Sequence, residues 1–214
     1  MELSKPSWAI QYESAADASE MTRPDSQADD ADLIRASSRG DDAAFLLLYR
    51  RHQGPVFRFA LHMSGRAEVA EEVTQEVFMS LVREPKAFRR ERGALQAYLI
   101  GIARNKIRRY LVVDSVRAAA LADPELRNEL ASSSDPFADC ARAWEHAALR
   151  RAILSLPPRY REVTVLCELE EMPYAEAALL LGCAVGTVRS RLSRARKLLS
   201  VRLQKALGRE VCPI

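Results

Sequence analysis

The chain has 214 residues, 48% of them hydrophobic, which is enough for one or two domains with apolar cores. Ala, Leu and Arg abound while only 7% of residues are aromatic, a composition that favours helices over sheets. The net charge is +3, no apolar run approaches the roughly 20 residues that cross a bilayer, and the N-terminus does not resemble a signal peptide. We therefore expect a cytoplasmic protein without membrane insertion.

The N-terminal half begins with a polar segment and continues with helical patterns. Residues 1–28 show no apolar periodicity and are expected to form a disordered acidic tail, since residues 1–32 hold eight acidic and two basic residues. Apolar residues then recur at helical spacing. The four predicted helices span about residues 30–38, 42–63, 67–83 and 95–113. Gly54-Pro55 predicts a kink or a short break in the second of them.

The C-terminal half follows a change of composition. Residues 114–140 contain two prolines, three consecutive serines and several acidic residues, so we predict a flexible acidic linker. Beyond it, a helix is expected to end at Leu156-Pro157-Pro158, and three more helices are expected over about residues 159–169, 174–181 and 186–203. The fold class is therefore all-α, with two small helical domains. The predicted domains and tails span residues 1–28, 29–113, 114–140, 141–207 and 208–214.

Residues 174–203 have the layout of a helix-turn-helix, with Gly182 providing the backbone freedom of the turn. At about 100° per residue, one face of the second helix is apolar. This face carries Val188, Leu192, Ala195 and Leu199. The opposite face combines small residues with bases, as a helix in a DNA major groove requires. It carries Gly186, Arg189, Ser190, Ser193, Arg194 and Lys197, flanked by Arg191 and Arg196. Residues 177–209 hold eight bases and no acid, whereas solvated surface helices usually mix both signs.

A second basic block covers residues 83–117, with ten basic and three acidic residues. It contains the loop Phe88–Gly93 and the fourth predicted helix. Two basic blocks in one chain indicate two contacts with a polyanion.

Several motifs, in the same order along the chain, resemble extracytoplasmic-function (ECF) sigma factors of the bacterial sigma-70 family. The segments Ser155–Arg161, Tyr174–Ala178 and Val185–Arg196 are similar to region four. The segments Leu48–His52, Ala70–Phe78 and Tyr98–Asn105 are similar to region two. Tyr98 stands where the family more usually has Trp, and Ser193 is small where some relatives place an aromatic residue.

The resemblance implies a role for each motif. In region four, the side chains matching those that read the −35 promoter element are Arg189, Ser190, Ser193 and Arg194, and the neighbours expected on DNA phosphates are Thr187, Arg191, Arg196 and Lys197. In region two, the residues expected to hold the opened −10 element as a single strand are Phe88, Tyr98, Arg104, Asn105, Arg108 and Arg109. The residues expected to bind polymerase are Glu71, Glu72, Gln75 and Glu76.

The implied function is promoter-specific transcription initiation, without a cofactor or metal. The implied partners are the RNA polymerase core, through its β′ coiled coil and β flap, promoter DNA, and an anti-sigma factor. Two alternatives remain open from the residues: a self-sufficient DNA-binding regulator, and an interaction protein whose basic blocks bind protein partners.

Nothing in the sequence favours an enzyme. The three histidines, His52, His62 and His146, have no ligand spacing, and no phosphate-binding glycine loop or nucleophile motif is present. The four cysteines lie far apart without a CxxC pair, and we interpret them as buried reduced thiols.

Overall fold

The computed structural model describes residues 29–120 and 140–206, and within these ranges the chain forms eight α-helices and no strand. The helices are α1 (Asp30–Ser37), α2 (Asp42–Ser64), α3 (Ala67–Arg83), α4 (Leu95–Ala120), α5 (Cys140–Leu154), α6 (Pro158–Thr164), α7 (Tyr174–Leu181) and α8 (Val185–Ala206). The all-α prediction is confirmed. The predicted tails and most of the predicted linker lie outside the described residues.

Helix α2 is the centre of the N-terminal half, where it packs against α1, α3 and α4. It begins at the N-cap Asp41, whose side chain accepts a hydrogen bond of 3.0 Å from the backbone N–H of Ala44. It ends at Gly65, whose φ of 76° is left-handed. The large side chains that are fully buried between these helices include Leu48, Phe59, Phe78, Leu99 and Ile107.

Of the kink or short break predicted at Gly54-Pro55, the break is wrong, because α2 is continuous through both residues. Proline normally disfavours a helical residue before it by clashing with the Cβ of that residue. Gly54 has no Cβ, so this clash is absent. Val56 and Phe59, on the next turn, are fully buried and hold the second half of the helix on the core.

Helix α4 runs on to Ala120, past its predicted end at residue 113. The extension contains Arg117 and three consecutive alanines, which are good helix formers, and no glycine or proline. The polar composition that suggested a linker therefore did not stop the helix. Two 3₁₀ turns, Pro85–Ala87 and Arg90–Arg92, connect α3 with α4 through the predicted basic loop.

Helix α8 is the centre of the C-terminal half, where it packs against α5, α6 and α7. Helices α7 and α8 form the predicted helix-turn-helix, and Gly182 ends α7 with a φ of 65°. Val188, Leu192 and Ala195 are buried and Leu199 is half-buried, which confirms the predicted apolar face. The single helix predicted over 159–169 is instead α6 followed by a π-helical turn, Val165–Leu169.

The two halves pack directly on each other, which the sequence did not predict. Helix α2 contacts α5, α6 and the π-helical turn, while α4 contacts α7. The buried residues of both halves form one continuous apolar cluster. Gly65 lies so close to the C-terminal half that a Cβ there would be 3.0 Å from a Leu154 methyl carbon. Across the described ranges, no helix is both long and apolar enough to span a bilayer.

Two leucines of α2 test this core. Leu48 is fully buried, whereas Leu46, on the same helix, is 43% exposed. We expect Leu48→Ala to lower the free energy of unfolding by about 2–5 kcal/mol, because it removes apolar contacts and leaves a cavity. Leu46→Ala, the matched control, should cost less than about 1 kcal/mol in denaturant titrations followed by circular dichroism. Equal losses for the two variants would contradict the packing of α2.

Candidate nucleic-acid and polymerase interfaces

The outer face of α8 presents the four side chains predicted to read bases. Arg189, Ser190, Ser193 and Arg194 are all exposed, on the side of the helix away from its buried apolar stripe. The Ser190 hydroxyl donates a hydrogen bond of 3.0 Å to the backbone carbonyl of Thr187, one turn earlier. This face combines short polar side chains with two long donors, so a helix here can approach base edges closely.

Tyr160 of α6 supports this face, and the sequence did not single it out for that role. The interaction with the Arg194 side chain, aided by Arg159, lowers the pKa of the Tyr160 phenol. The Arg159 guanidinium carbon lies 4.8 Å from the centre of the Tyr160 ring. Tyr160 is itself buried in a small cluster with Leu156 and Ala195. A buried tyrosine therefore interacts with one of the two arginines predicted to read bases.

The four residues predicted to contact phosphates lie around the same helix. Thr187 and Arg191 are half-buried, while Arg196 and Lys197 are exposed. An Arg196 nitrogen donates a hydrogen bond of 2.6 Å to a Glu168 carboxylate oxygen, which raises the pKa of the arginine. The charge of Arg196 is thus partly neutralised by Glu168.

Four of the six residues predicted to hold a single strand line one cavity beside α4. The rings of Phe88 and Tyr98 are half-buried, with centres 5.5 Å apart and planes tilted by 52°. Burial raises the pKa of Tyr98, and the nearby Glu84 adds to the shift. Asn105 is exposed, one residue beyond Arg104. Both rings, Arg104 and Asn105 line a cavity of about 660 Å³. Its other wall belongs to the C-terminal half.

Arg104 differs from Arg108 and Arg109, which are both exposed. Its guanidinium donates two hydrogen bonds, of 3.0 and 3.3 Å, to the two carboxylate oxygens of Glu162. The side chains of Arg104 and Glu162 are only 15% and 10% exposed. In this structure the arginine predicted to bind DNA is therefore occupied by a carboxylate of the other half.

The predicted polymerase-binding residues form an exposed face of α3. Glu71, Glu72, Gln75 and Glu76 all face solvent, and Met79, also exposed, follows them along the helix. Glu76 accepts a hydrogen bond of 2.7 Å from the Lys106 ammonium group. An acidic face with an apolar residue at its end suits a basic partner surface.

The structure describes the surroundings of two histidines, His52 and His62, and of two cysteines, Cys167 and Cys183. His52 is buried, with its Nε2 3.0 Å from a carboxylate oxygen of Asp30. His62 is half-buried, and its burial, together with Arg150 and Arg58, lowers its pKa. Cys167 and Cys183 are free thiols and half-buried rather than fully buried.

Two segments of the chain match known families. Residues 48–114 match the family described as "Sigma-70 region 2", and residues 146–199 match "Sigma-70, region 4". The first match covers most of α2, all of α3 and most of α4, and the second covers α7 and most of α8. Together they define the chain as a protein of the sigma-70 class.

The curated relatives identify the subclass. The chain is 34% identical to the "ECF RNA polymerase sigma factor SigE" of Mycolicibacterium smegmatis over 163 residues, which are 74% of this chain and 61% of that protein. It is 31% identical to the "ECF RNA polymerase sigma-E factor" of Escherichia coli K12 over 173 residues, 78% of this chain and 90% of that one. The solved structure of CnrH, in complex with the cytosolic domain of CnrY, matches 82% of this chain and 97% of its own with a TM-score of 0.58 and 27% identity. The chain belongs to the ECF sigma factors of RNA polymerase.

Cys167 provides a test of the local structure around the π-helical turn. Burial, aided by the neighbouring Glu168, raises the pKa of this thiol to about 11. Since the thiolate is the reactive form, we expect Cys167 to be alkylated by iodoacetamide at pH 8 roughly a hundredfold more slowly in the native protein than in the denatured chain. Peptide mass spectrometry over a time course measures both rates. Similar rates in the two states would contradict the burial of this thiol.

Proposed function

We propose that this sigma factor binds the RNA polymerase core and directs initiation at specific promoters, with α8 reading the −35 element and the α3–α4 side of the molecule melting and holding the −10 element. The observation that carries the proposal is the outer face of α8, where four exposed side chains of suitable chemistry lie opposite a buried apolar stripe. Membership of the ECF sigma factors supports it independently.

The −35 proposal assigns different tasks to different side chains of α8. Arg189 and Arg194 read guanine edges, while Ser190 and Ser193 allow the helix to approach the bases. Thr187, Arg191, Arg196 and Lys197 neutralise or contact phosphates and fix the position of the helix without selecting sequence. Arg196 exchanges Glu168 for a phosphate when it binds.

The −10 proposal rests on a pair of aromatic rings beside an exposed amide. Phe88 and Tyr98 stack on unpaired bases, and Asn105 bonds to a base edge, which are the contacts that hold single-stranded DNA. Arg108 and Arg109 neutralise the backbone. Arg104 joins them once it is released from Glu162.

The exposed acidic face of α3 is the proposed contact with the β′ coiled coil of polymerase, and the C-terminal half is the proposed contact with the β flap. A factor that works on RNA polymerase acts in the cytoplasm. An anti-sigma factor is the further partner that family membership suggests, and the matching CnrH structure contains a second protein, the cytosolic domain of CnrY.

Run-off transcription with purified core polymerase on a genomic promoter library tests the function. We expect defined start sites that appear only when core and factor are both present, and only weak binding of the factor alone to duplex DNA. A self-sufficient regulator would instead bind specific duplex sites without core. Absence of the factor from core pull-downs would overturn the proposal.

The assignment of Arg194 makes a quantitative prediction. Arg194→Ala should lose roughly 1–3 kcal/mol of binding at the preferred −35 sequence and relax base preference at one position. Lys197→Ala, the matched control on the same helix, should weaken all sequences alike and reduce the salt dependence of binding. Holoenzyme binding to a library of −35 variants at two salt concentrations measures both effects. Unchanged base preference in Arg194→Ala would remove Arg194 from the readout.

The assignment of Asn105 predicts a defect in promoter opening. Asn105→Ala should leave closed-complex formation by holoenzyme nearly intact and reduce the permanganate reactivity of thymines in the −10 region, because the amide contacts only the opened strand. Gln96→Ala removes another amide of α4 and should leave opening unchanged. Normal opening by Asn105→Ala at low temperature would contradict the assignment.

A further inference from the structure

Tyr160 of α6 lies where the buried stripe of α8 borders its outer face. The residue is 8% exposed and packs in a small cluster with Leu156 and Ala195. Ala195 has no exposed surface, and the residue before it, Arg194, is exposed on the face proposed to read the −35 element. Tyr160 therefore packs against α8 directly beside a side chain that is proposed to contact bases.

Two arginines share this phenol. The Arg159 guanidinium carbon lies 4.8 Å from the centre of the Tyr160 ring, within the range of a cation–π contact. The Arg194 side chain interacts with the same tyrosine, and the two arginines together lower the pKa of the phenol. Both arginines are exposed, and within the described ranges neither has a carboxylate partner. Arg196, on the same helix, differs from them because it is paired with Glu168.

A hydroxyl beside Arg194 can orient its guanidinium without blocking it. An arginine has five N–H donors in a planar fork, so one bond to a hydroxyl leaves a pair of donors free on another edge. Such a pair binds O6 and N7 of guanine. An unrestrained arginine loses rotamer freedom when it binds a base, and a side chain that is already held loses less. Because Tyr160 is buried, its own rotamers are restricted, and its hydroxyl can limit the orientations of Arg194.

Arg159 supplies a second charge from outside the recognition helix. Two guanidinium groups beside one phenol repel each other, and an anion close to both relieves the repulsion. DNA phosphates flank every base that α8 could read, and arginine binds phosphates through paired hydrogen bonds. A contact of this kind positions a protein on the duplex without selecting sequence.

We propose that Tyr160 is a positioning residue for the −35 readout: its hydroxyl holds the Arg194 guanidinium toward the base edge, and its ring supports Arg159, which binds a phosphate of the same DNA. This inference rests on the proposed function of α8 and extends the interface to α6. Arg194 then selects a base, whereas Arg159 adds affinity for any sequence.

The test separates the two tasks by substitution. Tyr160→Phe removes the hydroxyl and keeps the ring, whereas Tyr160→Leu removes both and keeps an apolar side chain in the cluster. Arg159→Ala removes the proposed phosphate contact. Tyr110→Phe is the matched control on α4, because it removes another phenol hydroxyl that accepts a hydrogen bond from an arginine, Arg66, at 2.6 Å. Each full-length variant is assembled with core polymerase, and binding to a library of −35 variants is measured at two salt concentrations.

We expect Tyr160→Phe to lower discrimination at the base position read by Arg194 by about three- to tenfold, as loss of one hydrogen bond would, and to leave other positions unchanged. Tyr160→Phe should have no further effect when it is added to Arg194→Ala, because the two residues act as one unit. Arg159→Ala should weaken binding to every sequence by the same factor and reduce the salt slope by about one. Tyr160→Leu should show both losses, and Tyr110→Phe should match wild type.

A titration without DNA measures the contact itself. The full chain is prepared with isotopically labelled tyrosine, and the ring signal of Tyr160 is assigned by NMR through its connection to the backbone. A neighbouring guanidinium favours the phenolate, so Arg194→Ala should raise the pKa of Tyr160. If Tyr160 only filled space beside α8, its pKa would be the same in wild type and in Arg194→Ala.

An unchanged Tyr160 pKa in Arg194→Ala overturns the proposal, and it does so even if Tyr160→Phe loses its helical circular dichroism. Wild-type base preference in Tyr160→Phe also overturns it when Arg194→Ala has lost that preference. Unchanged affinity and salt slope in Arg159→Ala would remove Arg159 from the interface. If Arg194→Ala itself retains base preference, the −35 assignment fails, and the titration still decides whether Tyr160 holds Arg194. The two failures are therefore distinguishable.

Discussion

Each helix of the chain must bury one apolar stripe, and where that stripe is buried decides which side chains reach solvent. On α8, burial of Val188, Leu192 and Ala195 leaves the arginines and serines of the opposite side facing outward. On α3, Val69, Val73 and Val77 are buried, so the glutamates between them form the exposed acidic face. The positions of both proposed binding surfaces follow from core packing, since a helix rotated about its axis would expose a different set of residues.

The junction between the halves uses different chemistry. Its polar contacts are arginines that each satisfy two or more acceptors, and two of the acceptors are carboxylates with little or no exposed surface. Breaking such a contact leaves a buried charge without a partner unless water enters at the same time. The two carboxylates therefore depend on their arginines for hydrogen bonds that water cannot supply at this junction.

Features that depend on local sequence were predictable, and features that depend on distant residues were not. The bounds of α3 and α7 and the buried face of α8 followed from apolar spacing, because each repeats within a few residues. The continuity of α2 through Pro55 was missed because the prediction considered the proline alone. It did not take into account that Gly54, the residue before it, has no Cβ to clash with the proline ring. The ion pairs of Glu162 and Glu170 were not predicted, because the partner arginines lie 58 and 112 residues away in the sequence. No periodic pattern marks a pair at such a distance. The exposure of Arg189, Ser190, Ser193 and Arg194 could be read from helical spacing. The ion pair that buries Arg104 could not.

The large sequence separation between Arg104 and Glu162 also has a consequence during synthesis. The N-terminal half, with Phe88, Tyr98 and Asn105, leaves the ribosome before α6 and α7 have been made. At bacterial elongation rates the intervening stretch takes on the order of several seconds. During that interval the nascent chain can already form the contacts between α2, α3 and α4, which are close in sequence. The side of α4 that α7 later contacts is still exposed to solvent. A polysome would thus carry Phe88, Tyr98 and Asn105 uncovered until α7 emerges and packs against α4.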